Sequence, residues 1–138
     1  MAETVAEVMT THPVRVEADQ PVSVAAALMR DHDTGALIVN DNGRMLGIVT
    51  DRDITVRVVA DDRGPDTPVR EAASFDVEAI CPDTSIDQAV RLMRSHAVRR
   101  LPVVEDGRAV GIVSLGDLVR ESDPTSALAD ISAAEGTH

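Results

Sequence analysis

The chain has 138 residues, 43% of them apolar, a formal net charge of −11 at pH 7 and a single aromatic residue, Phe75. That length holds one compact domain or two half-size units sharing a core, because a unit of about 60 residues is marginal alone. The acidic balance serves solubility and, with so few rings, argues against nucleic acid as a partner, since phosphate backbones need clustered cations and single strands need aromatic platforms.

The start, Met1-Ala2-Glu3-Thr4, lacks a charged-then-apolar leader. No apolar run approaches the roughly 20 residues that span a bilayer, so a soluble, cytoplasmic protein without membrane contact is expected. A short helical turn is predicted over Thr4 to Met9, and Val14-Arg15-Val16 alternates as a half-buried strand does. Pro21 sits where a first helical residue tolerates proline, and Val22, Ala25, Ala26 and Met29 recur at helical spacing. The short apolar runs Ala36 to Val39 and Leu46 to Val49 flank Asn42-Gly43, a hairpin signal because both central residues of a type I′ turn need positive φ. A second helix is predicted over Asp51 to Ala60, then a polar linker from Asp61, with Thr67 capping the turn that opens at Pro68.

Ala79-Ile80-Cys81-Pro82 reads as the end of a short buried strand, with Cys81 a small apolar filler. A lone cysteine allows no intramolecular disulfide. Ile86, Ala89, Val90 and Met93 mark another helix, for which Thr84 and Asp87 are a candidate capping box. Leu101 to Val104 and Val110 to Val113 surround Asp106-Gly107, a second hairpin, and a last helix is predicted over Leu115 to Glu121. The tail, Ser126 to His138, is small and weakly apolar, a frayed helix or disorder without assigned chemistry.

The same string is thus written twice. GIVTDRDI at Gly47 to Ile54 is answered by GIVSLGDL at Gly111 to Leu118, and Leu28-Met29-Arg30 with His32 by Leu92-Met93-Arg94 with His96. The register holds without a gap at an offset of about 64 residues, and such self-similarity decides the architecture before any single residue does. The expected fold is α/β (α+β): two β-α-β-β-α repeats at 4–60 and 68–121, a linker at 61–67 and a tail at 122–138.

Each repeat carries a hydroxyl and a carboxylate three residues apart after Gly-Ile-Val: Thr50 with Asp53, and Ser114 with Asp117. One reading is a capping box, in which the hydroxyl accepts from a helix N–H and the acid reaches back. The other is a ligand site, since helix-terminal N–H groups suit phosphate and a nearby Asp suits the two hydroxyls of a ribose. Both readings use the same residues. The duplication, with an apolar strand before each pair able to wall an adenine ring, favours the ligand.

These motifs, the β-α-β-β-α order and Arg100-Leu101-Pro102-Val103 resemble a tandem pair of cystathionine-beta-synthase (CBS) domains, a Bateman module, over about Thr4 to Glu121. The resemblance implies two repeats packed about a pseudo-twofold axis, with clefts that commonly bind adenosyl ligands: AMP, ADP, ATP or S-adenosylmethionine. It also implies pairing into a homodimer. Carried onto this sequence, it makes Asp53 and Asp117 candidates for ribose hydroxyls and places Thr50 and Ser114 near phosphate. Pro13, Val14 and Val16, with Ile48 and Ile112, would contact the base, and Arg52, Arg99 and Arg100 would supply charge. An ordinary surface role is the alternative for each Arg. The clefts should differ: Asp51 and Arg52 face Leu115 and Gly116 in the alignment of repeats, and Asp76 and Glu78 stand where repeat one has His12 and Val14. At most one competent cleft is expected, the one containing Asp53.

His32 and His96 occupy equivalent positions near helix ends, where a dipole and free carbonyls explain them without a metal. His12 and His138 form no ligand spacing with them. Ser114 and Thr50 lack an adjacent base and no phosphate-cradling Gly-rich loop exists, so an enzyme is not expected. The leading expectation is a regulatory module that senses an adenosyl ligand, needs no cofactor and acts on a separate protein. A nucleotide-free interaction module is the alternative, and a metal-dependent dimer through the two histidines a third reading.

Overall fold

A computed structural model describes residues 3–122. In chain order these form a 3₁₀ turn Val5–Glu7, strands β1 (Thr10–Thr11) and β2 (Arg15–Glu17), helix α1 (Val22–His32), strands β3 (Ala36–Asp41) and β4 (Arg44–Thr50), and helix α2 (Asp51–Ile54), which runs on as a π-helical turn Thr55–Val59. A 3₁₀ turn Val69–Glu71, helix α3 (Ile86–His96), strands β5 (Arg100–Glu105) and β6 (Arg108–Ser114) and helix α4 (Leu115–Ser122) follow. The chain divides into two compact units. One is continuous, from Val14 to Val77; the other is split, joining the stretch up to Pro13 to the described residues from Glu78 onward.

In the continuous unit β3 is central, parallel to β2 and antiparallel to β4. A strand covered on both faces needs an unbroken apolar run, and residues 36–40 are all buried. Leu37, Val39 and Val49 of this sheet pack with Val22, Ala25 and Met29 of α1 and with Val58. In the split unit β6 lies between β5 and β1, antiparallel to both. Its core joins Leu101, Val103 and Val113 to Ala89 and Met93 of α3, Leu118 of α4 and Val5 of the opening turn. Asn42 and Gly43 (φ 53° and 81°) and Asp106 and Gly107 (φ 55° and 78°) have the positive φ that the two hairpin dipeptides predict.

The opening segment of each repeat belongs to the compact unit of the other. Thr10 pairs with Ile112, and at the repeat offset Ser74 pairs with Ile48. The N–H of Val5 donates to the carbonyl of Thr84 (2.9 Å) and that of Val69 to the carbonyl of Gln20 (2.8 Å). Ala6 to Pro82 and Arg70 to Ala18 repeat the correspondence. The compact units are therefore cut at 13/14 and 77/78, at different places from the sequence repeats. Close approach of these exchanged segments needs glycine: a Cβ on Gly47 would lie 2.2 Å from the carbonyl oxygen of Ser74, and one on Gly111 2.4 Å from Sδ of Met9.

Several local expectations are corrected. Helix α3 is capped by Ser85, whose Oγ accepts from the N–H of Gln88, while Thr84 Oγ1 accepts from the N–H of Cys81; no box joins Thr84 to Asp87. The turn at Val69 is capped by Pro68, and Thr67 instead donates its hydroxyl to the carbonyl of Gly64. The strand expected at 79–82 shrinks to one parallel bridge between Ile80 and Val103, and Cys81 is exposed. Pro82 lacks an N–H to extend a ladder, and Cys81 spends its own on the turn to Thr84. The helix expected over Asp51 to Ala60 changes from α to π at Thr55. The tail expected to be frayed or disordered lies outside the described residues. Asn40 on β3 is 7% exposed, and its Oδ1 has no hydrogen-bond partner; Val104 takes the equivalent place in repeat two.

Candidate functional site

Thr50 ends β4 in extended backbone, and the chain turns there into α2, leaving N–H groups without helical partners. The N–H of Asp53 donates to Thr50 Oγ1 (3.1 Å) and the N–H of Thr50 donates to Asp53 Oδ2 (2.9 Å), a complete capping box. In the split unit the N–H of Asp117 donates to Ser114 Oγ (3.1 Å) and that of Ser114 to Asp117 Oδ2 (3.0 Å). The first of the two readings of these pairs is therefore met in both units.

Neither carboxylate is used up by its box. Asp53 Oδ1 faces Arg57 Nη1 at 3.9 Å, and Asp117 Oδ1 accepts from Arg120 Nη2 at 3.2 Å; the two acidic side chains are 17% and 22% exposed. Each aspartate thus turns one oxygen into the backbone and the other toward a cation near solvent. Sequence reasoning missed Arg57 and Arg120. Their spacing, i+4 and i+3 on a helix, is the ordinary signal for such pairs and was sufficient to find them.

The other expected site residues divide between the units. In the continuous unit, Ile48 and Thr50 lie on β4, and Val16 lies two strands away on β2. The carbonyl of Val14 accepts from the N–H of Ile38, whose other neighbour is Ile48, so β3 separates the first-strand residues from Ile48. Arg52 is exposed on α2. Pro13 falls in the split unit, as does Ile112, which lies between Thr10 and Pro102. Arg100 is the cross-strand partner of Ser114, and the carbonyl of Arg99 accepts from the N–H of Leu115 (2.7 Å), so the backbones of both residues adjoin the Ser114 box. The equivalent positions beside Thr50 are Gly35 and Ala36. Two arginines thus adjoin Ser114 along the backbone where Thr50 has a glycine and an alanine.

His32 and His96 are the last residues of α1 and α3. Nε2 of His96 lies 3.7 Å from Glu78 Oε2. Among the described residues no group of three or more His, Cys, Asp or Glu side chains could hold a metal ion, and no helix is long and apolar enough to cross a membrane.

The model of the CBS domain matches residues 5–60 and again 69–123. The chain belongs to the CBS-domain family and carries two such domains in tandem. It is 40% identical to the CBS domain-containing protein YhcV of Bacillus subtilis (strain 168), an alignment covering 93% of this chain and 94% of that one. A solved structure from Burkholderia ambifaria MC40-6, named for signal transduction with CBS domains, superposes with a TM-score of 0.81 at 33% identity over 89% of this chain and 96% of that one. Hypoxic Response Protein I, solved with two coordinated zinc ions, superposes with a TM-score of 0.77 at 34% identity over 85% of this chain and 97% of that one. The chain is thus similar to CBS-pair proteins of a regulatory or signalling kind.

Proposed function

We propose that this CBS pair senses an adenine nucleotide or related adenosyl metabolite in the cytoplasm and modulates a separate protein partner, without catalysing a reaction. The observation that carries the reading is the pair of carboxylates Asp53 and Asp117, at the same point of each repeat, each keeping one oxygen outside its capping box. A carboxylate oxygen accepts more than one hydrogen bond, so each aspartate retains capacity for ribose hydroxyls while the box holds it in place. Arg52, Arg99 and Arg100 are the candidates for phosphate, and membership of the CBS family supports the ligand class. A ligand regulates only by binding two states of an assembly with different affinity, and the proposed assembly is a homodimer with its partner.

The test is thermal unfolding followed with an extrinsic dye, against AMP, ADP, ATP, S-adenosylmethionine and no ligand. At about 100 times its dissociation constant a ligand adds roughly 2.7 kcal/mol to stability, a visible rise in midpoint. A rise for one compound that vanishes in Asp53→Ala or Asp117→Ala supports the sensor and says which aspartate serves it. A flat panel from folded protein overturns it in favour of the nucleotide-free interaction module. That second reading has an observation of its own: both capping boxes are complete, and helix capping by itself accounts for both motifs. For a metal-dependent dimer the only support is the zinc held by Hypoxic Response Protein I. Chelator-sensitive dimerisation, absent in His32→Ala and His96→Ala, is the outcome that would establish it.

A further inference from the structure

Arg57 joins two segments that the sequence keeps apart. Its Nη1 lies within hydrogen-bond distance of the carbonyls of Ala72 (2.8 Å) and Ala73 (3.0 Å) and of Ser74 Oγ (3.2 Å). One Nη carries two hydrogens, so three acceptors share two donors. The same nitrogen stands 3.9 Å from Asp53 Oδ1, too far for a hydrogen bond and close enough for charge compensation. Directly after this stretch, Ser74 and Ile48 exchange both backbone bonds, Ile48 N–H to the Ser74 carbonyl (3.0 Å) and Ser74 N–H to the Ile48 carbonyl (2.8 Å). Strand β4 then leads from Ile48 to Thr50 and back to Asp53 through the capping box. A closed circuit results, from Asp53 through Arg57 to residues 72–74, to Ile48, and back to Asp53.

Arg57 sits in the π-helical turn, a geometry that recurs at functional sites. Repeat two has Glu121 at the equivalent position, so no cation of this kind is encoded there. The Arg120–Asp117 pair lies within a single helix, α4.

We propose that Arg57 is a positioning residue that couples the state of Asp53 to residues 72–75. Its ligand limb rests on the reading of Asp53 as a ribose carboxylate. Hydroxyls that draw on Asp53 Oδ1 reduce its compensation of the guanidinium, and the hold on the Ala72 and Ala73 carbonyls changes with it. The output is the strand-edge bridge at Ser74 and the adjoining Phe75, 49% exposed.

The test is amide hydrogen exchange in the full chain, with the Leu37 amide as reference for global stability. Wild type, Asp53→Asn, Arg57→Gln and the double variant are compared without ligand. Asn keeps an oxygen for the Thr50 N–H, and Arg57 is exposed, so folded variants are expected. Each single change should speed exchange at Ser74 by about fivefold relative to Leu37, and the double no more than the larger single, the non-additivity of residues in one network. Multiplying effects in the double variant, or wild-type exchange in Arg57→Gln, overturn the coupling. Saturating amounts of whichever of AMP, ADP, ATP and S-adenosylmethionine binds wild type should then alter Ser74 exchange in wild type but not in Arg57→Gln; an equal response in both overturns the ligand limb. If none of AMP, ADP, ATP and S-adenosylmethionine binds wild type, the sensor reading and the ligand limb fail, and the ligand-free cycle alone decides the coupling.

Discussion

Gly47→Ala and Gly111→Ala are the same substitution at equivalent points of the two repeats, and the structure predicts unequal outcomes. Neither glycine has positive φ, so with open space alanine would stabilise by about 0.4–1 kcal/mol through the unfolded chain. Space is not open at either. At Gly47 the new Cβ meets backbone: the Ser74 carbonyl oxygen at 2.2 Å and its carbon at 3.1 Å, with Cδ1 of Phe75 also at 3.1 Å. Relief requires moving residue 74 away from Ile48, which sacrifices two backbone hydrogen bonds worth about 1 kcal/mol each. Strain of roughly 1–3 kcal/mol from overpacking adds to this, for a net loss of about 3 kcal/mol. At Gly111 the contacts under 3 Å are Sδ and Cγ of Met9, a flexible side chain that can swing aside, although the Thr10 carbonyl at 3.1 Å limits the relief. The net loss there is about 1 kcal/mol or less. At about 3–4 °C per kcal/mol for a chain of this size, thermal unfolding followed by circular dichroism should place Gly47→Ala roughly 10 °C below wild type and Gly111→Ala within about 4 °C of it. Equal losses, or a larger one at Gly111, would refute this account of the exchanged segments.

Ala97 holds the left-handed C-cap of α3 at φ 53°, a conformation costing a non-glycine residue about 1 kcal/mol, so Ala97→Gly should raise the urea midpoint by a corresponding amount without changing the slope. Asn40→Val should stabilise by about 1 kcal/mol in the same assay, because it removes a buried acceptor without a partner and restores what repeat two has at Val104. Ser85→Ala should cost about 1 kcal/mol through loss of the α3 cap, whereas Thr84→Ala, at the position the sequence favoured for that cap, should leave helix content by circular dichroism unchanged.

Most of the architecture was legible because it was written twice. Periodicity located the helices of both repeats, and Asn42-Gly43 and Asp106-Gly107 marked their hairpins, since those dipeptides report a backbone demand that few other residues meet. The two capping boxes were legible for the same reason. The exchange of opening segments was not: Thr10 to Ile112 and Ser74 to Ile48 are long-range pairings, and local propensity does not say which sheet edge a two-residue strand will join. Ser85 caps α3 where the sequence reading has Thr84, because both are competent caps and boundaries are decided by tertiary bonds, here the Val5 N–H on the Thr84 carbonyl. The role of Arg57 depends on a π-helical turn and on residues 72–74, neither visible in a window around Asp53.

Isothermal titration of AMP, ADP, ATP and S-adenosylmethionine into wild type, Asp53→Ala and Asp117→Ala addresses the central claim most directly. The account predicts saturable binding of at least one compound, lost in Asp53→Ala or in Asp117→Ala. No heat from any of the four, from protein whose unfolding is cooperative, contradicts it.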